Sequence, residues 1–472
     1  LSTLVLIPLA ALAAQAEEGE WYIAPSIGYT DDDPDRKIDD SFSGFQLQLG
    51  RGMTEHFSLE GLLGYHDIDG FPGQKHLELG FNVIGNFLPD SLFFALKGPN
   101  FNGNRYAREA LDKGAAYAVV DEADYALNDR TLLVPDVLEC LQELATHHRR
   151  QIKATLIALT GSNGKTTTKE LISRVLERTY RTQATVGNLN NHIGVPLTLL
   201  SLGQEEIAVV EMGANHAGEI ARLAGIAAPE VGLITNVGKA HLEGFGSLEG
   251  VLHAKGELYD YLAAHGGKVL VDGSDSKLLA KAGQAGVEVL RVGPEGDLQV
   301  SMQLIRQRPF LDLELDLAGS PQSVSTHLVG AYNLQNILLA AGVGLHFGVP
   351  AASMAQAIAG YRPVNQRSQL VKGKRNQVIL DSYNANPDSM REAIKGLLNF
   401  AEGPSMLVLG DMAELGETSE AEHRDLVHWI ESLDVDRVML VGPKFSEACE
   451  PSSPFVVFSD RQKLEDHLNA DL

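Results

Sequence analysis

Apolar and polar positions divide the chain into three textures. Residues 1–16 (LSTLVLIPLAALAAQA) are nearly all apolar and close on Ala14-Gln15-Ala16, the small-x-small pattern of a signal-peptidase site. The run is too short to span a bilayer. From residue 21 the period becomes two. Trp21, Ile23, Ile27 and Tyr29 alternate with other residues, as do Phe45, Leu47 and Leu49, then Phe57, Leu59 and Tyr65, then Leu77, Leu79, Phe81 and Val83. This predicts four strands of about ten residues, separated by polar turns such as Asp31-Asp32-Asp33-Pro34. From Asp90 onward short apolar runs at 92–96, 116–120, 156–159, 207–210, 231–235, 406–409, 438–441 and 455–458 are separated by amphipathic stretches such as 104–113 and 168–179. Near-continuous apolar strands alternating with helices predict an α/β protein with parallel sheets covered on both faces. Expected borders lie near residues 89, 150 and 362.

Composition agrees with the third texture rather than the first two. The 472 residues are 44% hydrophobic and 21% charged, ordinary for a folded chain. A net charge of −24 argues against broad binding to nucleic acid or to an anionic membrane surface. With only Cys140 and Cys449, neither a disulfide framework nor a cysteine zinc site is expected.

The strongest chemical signal is Thr160-Gly161-Ser162-Asn163-Gly164-Lys165-Thr166-Thr167-Thr168, placed after an apolar strand at 154–159 and before a helix expected at 169–178. Glycines let the backbone curl so that N–H groups and the helix N-terminus face phosphates. Lys165 supplies positive charge, and the Thr166 hydroxyl can ligate magnesium. The spacing G-x-x-G-K-T is shorter than the common phosphate-loop pattern. Two more apolar runs end in Glu211 and, a few residues on, in His241. In an open α/β sheet these strand ends face one crevice, so both side chains are candidates for metal or phosphate contact.

Residues 21–88 resemble the first half of a small outer-membrane β-barrel, with a soluble meander as the alternative. Four strands cannot close such a barrel, and open edges are not tolerated in lipid, so no functional membrane insertion is expected. The remainder resembles the Mur ligase family. The phosphate loop, residues 187–198 (GNLNNHIGVPLT), 211–215, 240–247 (AHLEGFGS), 254–257, 332–336, 381–389 (DSYNANPDS) and 410–416 (GDMAELG) occur in the family's order. The resemblance covers about residues 89–472. It implies a three-domain architecture: a trimmed N-terminal substrate domain (89–150), a central ATP-binding parallel-sheet domain (151–362) and a C-terminal Rossmann-like domain (363–472). Before these stand a leader-like segment (1–16) and a partial antiparallel β segment (17–88).

The resemblance also implies roles. Gly161, Ser162, Asn163, Gly164, Lys165, Thr166 and Thr167 would cradle ATP. Thr166 and Glu211 would hold one magnesium, and His241 a second. Lys255 would carry a carbamate formed with carbon dioxide; by its residues alone it reads as a solvated lysine on an amphipathic helix. Asn333 and Asn336, at the start of a helix expected at 336–342, would lie near the adenine, where Tyr332 replaces a frequent histidine. Arg367 and Asp381 would reach ATP from the C-terminal domain. Asn188, Asn190 and Asn191 would contact a UDP-N-acetylmuramoyl-tripeptide, and Asn384, Asn386 and Ser389 the incoming D-alanyl-D-alanine. The implied work is cytoplasmic, in peptidoglycan precursor synthesis, by a monomer. Both ends of the ligase-like part look trimmed against the family, so the reading expects a chimeric chain. A catalytically impaired ATP-binding protein and a barrel fragment are its alternatives.

Overall fold

The computed structural model describes residues 21–30, 42–54, 57–68, 75–82, 91–99, 101–363, 366–373, 376–401 and 403–470. The leader-like run at 1–16 lies outside them. The described residues fall into two compact units, divided between residues 141 and 142.

In the first unit the backbone of Trp21–Thr30, Phe42–Thr54, Phe57–Ile68 and Lys75–Asn82 forms a four-stranded antiparallel meander, each strand paired with the next. The four strands sit where the alternation predicts them. Leu92–Phe94, Tyr117–Val120 and Thr131–Leu133 form a small parallel sheet. The helix expected at 104–113 begins as a 3-10 turn, Gly103–Tyr106, and continues as Ala107–Asp112. Its apolar side, Ala107, Ala110 and Leu111, packs with Val119, Val120 and Val137.

The second unit is built on one nine-stranded sheet. Its strands, in chain order, are β1 (Thr155–Thr160), β2 (Thr182–Ala184), β3 (Ile207–Glu211), β4 (Val231–Ile234), β5 (Lys268–Asp272), β6 (Glu288–Gly293), β7 (Leu298–Arg306), β8 (Asp312–Leu317) and β9 (Ser320–Ser325). In space they run β2-β3-β1-β4-β5-β6-β7-β8-β9. Pairing is parallel from β2 through β7. It turns antiparallel for β7-β8-β9, which the expectation of wholly parallel sheets does not include. Short connections between these strands leave no room for a crossover helix, so antiparallel pairing is the reachable solution.

Helices cover both faces of the parallel region. Ile157 and Leu159 of β1 pack with Leu171, Ile172 and Val175 of α1 (Lys165–Leu176) and with Ile337 and Ala341 of α3 (Asn333–His346). Leu156 and Ala158 point the other way, into Leu258, Tyr259 and Leu262 of α2 (Leu248–Ala264). A strand buried from both sides needs no polar alternation, which is why β1 reads as a continuous apolar run. Two helices differ from the expected bounds. The helix expected at 169–178 starts at Lys165, and the one expected at 336–342 spans Asn333–His346. Their first turns are polar and carry no apolar period, so only the tertiary fold reveals them. Beyond α3 lie the hairpin Gln369–Lys372 with Gln377–Leu380, the helix α4 (Pro387–Phe400) and a parallel three-stranded sheet of Met406–Gly410, Arg437–Val441 and Val456–Phe458. No helix among the described residues is long and apolar enough to cross a membrane.

Leu159 has no exposed surface and packs at the centre of this core. Leu159→Ala should therefore destabilise the second unit by about 2–5 kcal/mol, read as a lower urea midpoint at unchanged slope.

Candidate active site

The sheet's order places β1 between β3 and β4, so connections leave in opposite directions at the carboxyl ends of these strands. That is the crevice in which open α/β sheets bind ligands. Gly161 (φ +153°) and Gly164 (φ +76°) turn the chain from β1 into α1. A Cβ on Gly161 would lie 1.9 Å from Thr235 Oγ1, and one on Gly164 2.5 Å from Asn336 Oδ1. The loop is braced from β4. Ser162 N–H donates to Asn236 O at 3.0 Å. Asn163 N–H donates to Asn236 Oδ1 at 2.9 Å, and Thr235 Oγ1 donates to Asn163 O at 2.6 Å. The N–H groups of Ser162 and Asn163 are thus already engaged. The phosphate cradle is narrower than the sequence suggests and begins with the open N–H groups at the start of α1. Lys165 Nζ folds back onto Gly161 O at 2.8 Å and Ser162 O at 3.2 Å. Burial lowers its pKa, with Glu211 and Glu414 opposing.

Glu211 closes β3 with no exposed surface. Its Oε1 accepts from Asn190 Nδ2 at 2.8 Å and from Thr166 Oγ1 at 3.2 Å. Its Oε2 is buried without a hydrogen-bond partner. His241 adopts a left-handed backbone (φ 54°), and its Nδ1 stands 2.5 Å from Glu414 Oε2, off the line of a hydrogen bond. Burial holds the His241 pKa below the usual imidazole value, with Glu414 raising it and Lys165 and Lys255 lowering it further.

Lys255, on α2, has no exposed surface, which overturns the reading of a solvated helix face. Its Nζ has no hydrogen-bond partner and lies 5.6 Å from the centre of the Phe245 ring. Burial, aided by the charge of Lys165, pushes its pKa well below the ordinary lysine value. No group of three His, Cys, Asp or Glu side chains among the described residues forms a ready-made metal cage. The donors that do converge, a threonine hydroxyl and a carboxylate with a free buried oxygen, are hard oxygen ligands of the kind magnesium takes.

A cleft of about 1020 Å³ in residues 142–472 brings most candidates together. Lys165, Glu211 and His241 line it with Arg367, Asp381 and Asn384. Asn336 also lines it, but Oδ1 accepts from Thr168 Oγ1 at 3.0 Å and Nδ2 donates to Asn333 Oδ1 at 2.8 Å. Asn333 is 2% exposed and donates to Val329 O, so it supports the loop from behind rather than facing a base. Arg367 lies 3.9 Å above the Tyr383 ring. Tyr332 OH and Ser368 Oγ are 2.5 Å apart, and Ser368 Oγ donates to Asp381 Oδ2 at 3.1 Å.

The other asparagines divide. Asn191 Oδ1 accepts from the N–H groups of Ile193 and Gly194 at the start of a helix, while Asn188 is exposed. Asn386 and Ser389 form a capping box on α4. Asn386 Nδ2 also donates to Asn163 Oδ1 at 2.8 Å, joining α4 to the phosphate loop. Asn384 Oδ1 accepts from Ala385 N–H. Sequence reasoning missed Asn236, Asp388, Glu414 and Glu422. Asp388 Oδ2 accepts from Lys239 N–H at 2.7 Å, and Glu422 Oε1 lies 2.6 Å from Lys239 Nζ. Asn236, directly after an apolar strand, was the most findable of them.

A phosphate loop at the switch point of a parallel sheet, facing a buried carboxylate, defines a P-loop nucleotide-binding α/β protein. The comparisons then narrow the class. Residues 159–344 match the Mur ligase middle domain and residues 366–469 the Mur ligase, glutamate ligase domain. The chain is 36% identical to the UDP-N-acetylmuramoyl-tripeptide--D-alanyl-D-alanine ligase of Bacillus subtilis, over 74% of this chain and 77% of the relative. It is 35% identical to the Escherichia coli enzyme of the same name, over 80% and 84%. A crystal structure of MurF from Acinetobacter baumannii superposes with a TM-score of 0.73 at 31% identity, covering 84% of this chain and 88% of that one. The chain belongs to the Mur ligase family.

Two outcomes follow. Gly164→Ala places a Cβ against Asn336 in a backbone conformation L-residues avoid, so nucleotide affinity measured by calorimetry should be lost while the far-ultraviolet spectrum is kept. The second concerns Asp381, whose pKa burial raises, with Ser368 and Arg367 opposing. A raised folded-state pKa means that the folded chain holds the proton more tightly than the unfolded one. Its stabilisation is complete below the unfolded value near 3.8 and is lost as pH rises through the folded value. Asp381→Asn should therefore melt higher than the parent at neutral pH, and the advantage should shrink as pH falls.

Proposed function

We propose that the chain is an ATP-dependent ligase that joins D-alanyl-D-alanine to UDP-N-acetylmuramoyl-tripeptide, forming an amide, ADP and phosphate in peptidoglycan precursor synthesis. The observation that carries the reading is the Thr166–Glu211 pair beneath the phosphate loop, in a chain whose relatives bear that enzyme's name. The terminal carboxylate of the muramoyl peptide attacks the γ-phosphate of ATP and displaces ADP. The amine of the dipeptide then attacks the acyl phosphate, releasing phosphate.

Each residue's part follows from charge. Nucleophile and phosphate are both anionic, so positive groups must sit between them. Lys165, released from its loop carbonyls, swings to the phosphates, and the first N–H groups of α1 hold their oxygens. Thr166 and Glu211 would hold a magnesium ion, with His241 beside a second; bound magnesium neutralises phosphate charge as the transfer proceeds. The buried Lys255 amine, which has no hydrogen-bond partner, suits attack on carbon dioxide in its uncharged form: the N–C bond forms, one proton leaves the nitrogen, and a carbamate anion replaces the amine. Arg367 and Asp381 meet the nucleotide from the far side of the cleft. Asn190 and Asn191 face the muramoyl peptide, and Asn384 faces the dipeptide. The partition 89–150, 151–362 and 363–472 is retained as the functional division.

On this reading the work is cytoplasmic, where ATP and the nucleotide-linked precursor are made, and the chain acts as a monomer. The reading of residues 1–88 as a leader and half barrel rests on sequence pattern alone, and the proposed chemistry does not draw on it. A chain starting at Pro89 should keep the ATP affinity of the full chain; loss of ATP binding would make the β segment part of the enzyme.

The deciding assay is phosphate release with ATP, muramoyl tripeptide and D-alanyl-D-alanine, each omitted in turn. Release should require all three, and Lys165→Ala should lower it by at least about a hundredfold. Lys255→Ala should lose activity and regain part of it with added short-chain carboxylates, which can enter the vacated space. Wild-type turnover in Lys255→Ala would show that no carbamate is needed.

A further inference from the structure

Lys169 stands one turn beyond the phosphate loop on α1, and its side chain has no exposed surface. Its Nζ donates to Thr185 O at 2.5 Å, lies 3.5 Å from Gly187 O, and is 3.0 Å from Glu170 Oε1. A cation is costly to bury unless its hydrogen bonds are made. Here they are made to the backbone of one loop.

That loop leads directly to Glu211. The Thr185 hydroxyl accepts from Glu211 N–H at 3.0 Å. Gly187 (φ +55°) then turns the chain, and Asn190 comes back to donate to Glu211 Oε1 at 2.8 Å. Gly213 N–H donates to Asn190 O at 2.7 Å, and a Cβ on Gly213 would lie 2.9 Å from Asn190 Oδ1, so a glycine there admits the asparagine. Thr166 reaches the same carboxylate oxygen from α1, three residues before Lys169. Glu211 is held on one side by α1 and on the other by a loop that is itself tied to α1.

We propose that Lys169 is a positioning residue: its buried side chain braces α1 to the 185–191 loop and thereby sets the direction of the Glu211 carboxylate. The brace couples the ion site to the loop that faces the muramoyl peptide. The inference rests on the reading of Thr166 and Glu211 as ion ligands.

The test uses the full chain with Lys169→Met, which fills the space without the charge, and Lys169→Gln, which keeps a donor. Mn²⁺, visible by electron paramagnetic resonance, is titrated into the ADP complex. Amide hydrogen exchange of residues 185–191 and 211 is measured without metal or nucleotide. Lys169→Met should bind ADP alone as the parent does, bind Mn²⁺ at least about tenfold more weakly, and exchange faster in that loop. Lys169→Gln should recover part of both. Thr185→Val added to Lys169→Met should weaken Mn²⁺ binding by less than the sum of the two changes, because they act on one brace. Unchanged Mn²⁺ affinity in Lys169→Met would overturn the proposal, as would unchanged exchange. Should Lys169→Met fail to fold, the same two readouts on Lys169→Gln decide, parent-like values overturning it. A Glu211→Gln chain that binds Mn²⁺ like the parent would sink the ion-site reading instead, leaving the exchange result to judge the brace.

Discussion

Glu211 is a carboxylate without exposed surface, and the geometry of the cleft follows from holding it there. One oxygen is fixed by Asn190 and Thr166, and the other has no partner. A buried anion left half satisfied is costly unless positive charge reaches it. Lys165 and His241 line the same cleft, Lys255 lies within electrostatic reach of both, and burial weakens the hold of all three on their protons. The site thus gathers basic groups around a buried carboxylate, where burial opposes their charged forms. Nucleotide phosphates and a metal ion supply together what Glu211 and the lysines lack separately.

The same constraint explains why the phosphate loop is so heavily braced. Its turn uses two positive-φ glycines, and both run against side chains, Thr235 and Asn336, that leave no room for a Cβ. Thr235, Asn236 and Asn163 lock the loop to β4, so its residues need not be ordered when phosphate arrives. Preorganised donors avoid reorganisation at the moment of reaction, which is where electrostatic catalysis gains most.

Described residues beyond 363 meet the other side of the cleft through polar links that include Asn386 to Asn163, Asp388 and Glu422 to Lys239, Glu414 to His241 and to Glu243 N–H, and Ser368 to Tyr332, with Leu242 packed against their apolar core. Lys239 is about half exposed, and exposed ion pairs weigh little. A cleft bridged largely by polar contacts can open to admit a large substrate and then shut out water, as an acyl phosphate requires.

Sequence alone determined whatever depends on neighbours along the chain. An apolar strand, a glycine turn and a polar helix start within one short stretch specify the phosphate loop, and period-two alternation marks the strands of residues 21–82. Glu211 and His241 were legible because strand ends in such sheets share a crevice. Tertiary structure decided what depends on residues far apart. By its residues alone Lys255 reads as a surface lysine until packing buries it, and nothing along the chain distinguishes Lys169. Asn333 reads as a ligand contact until burial removes it from the cleft, while Asn386 and Ser389 line the cleft and also cap α4. The antiparallel strands at 298–325 do carry a period of two, in Val300, Met302 and Leu304 and in Leu313, Leu315 and Leu317, and went unread, whereas the polar first turns at Lys165 and Asn333 escaped because they leave no apolar period. Burial and hydrogen-bond partnership belong to pairs brought together by folding, and no local pattern encodes them.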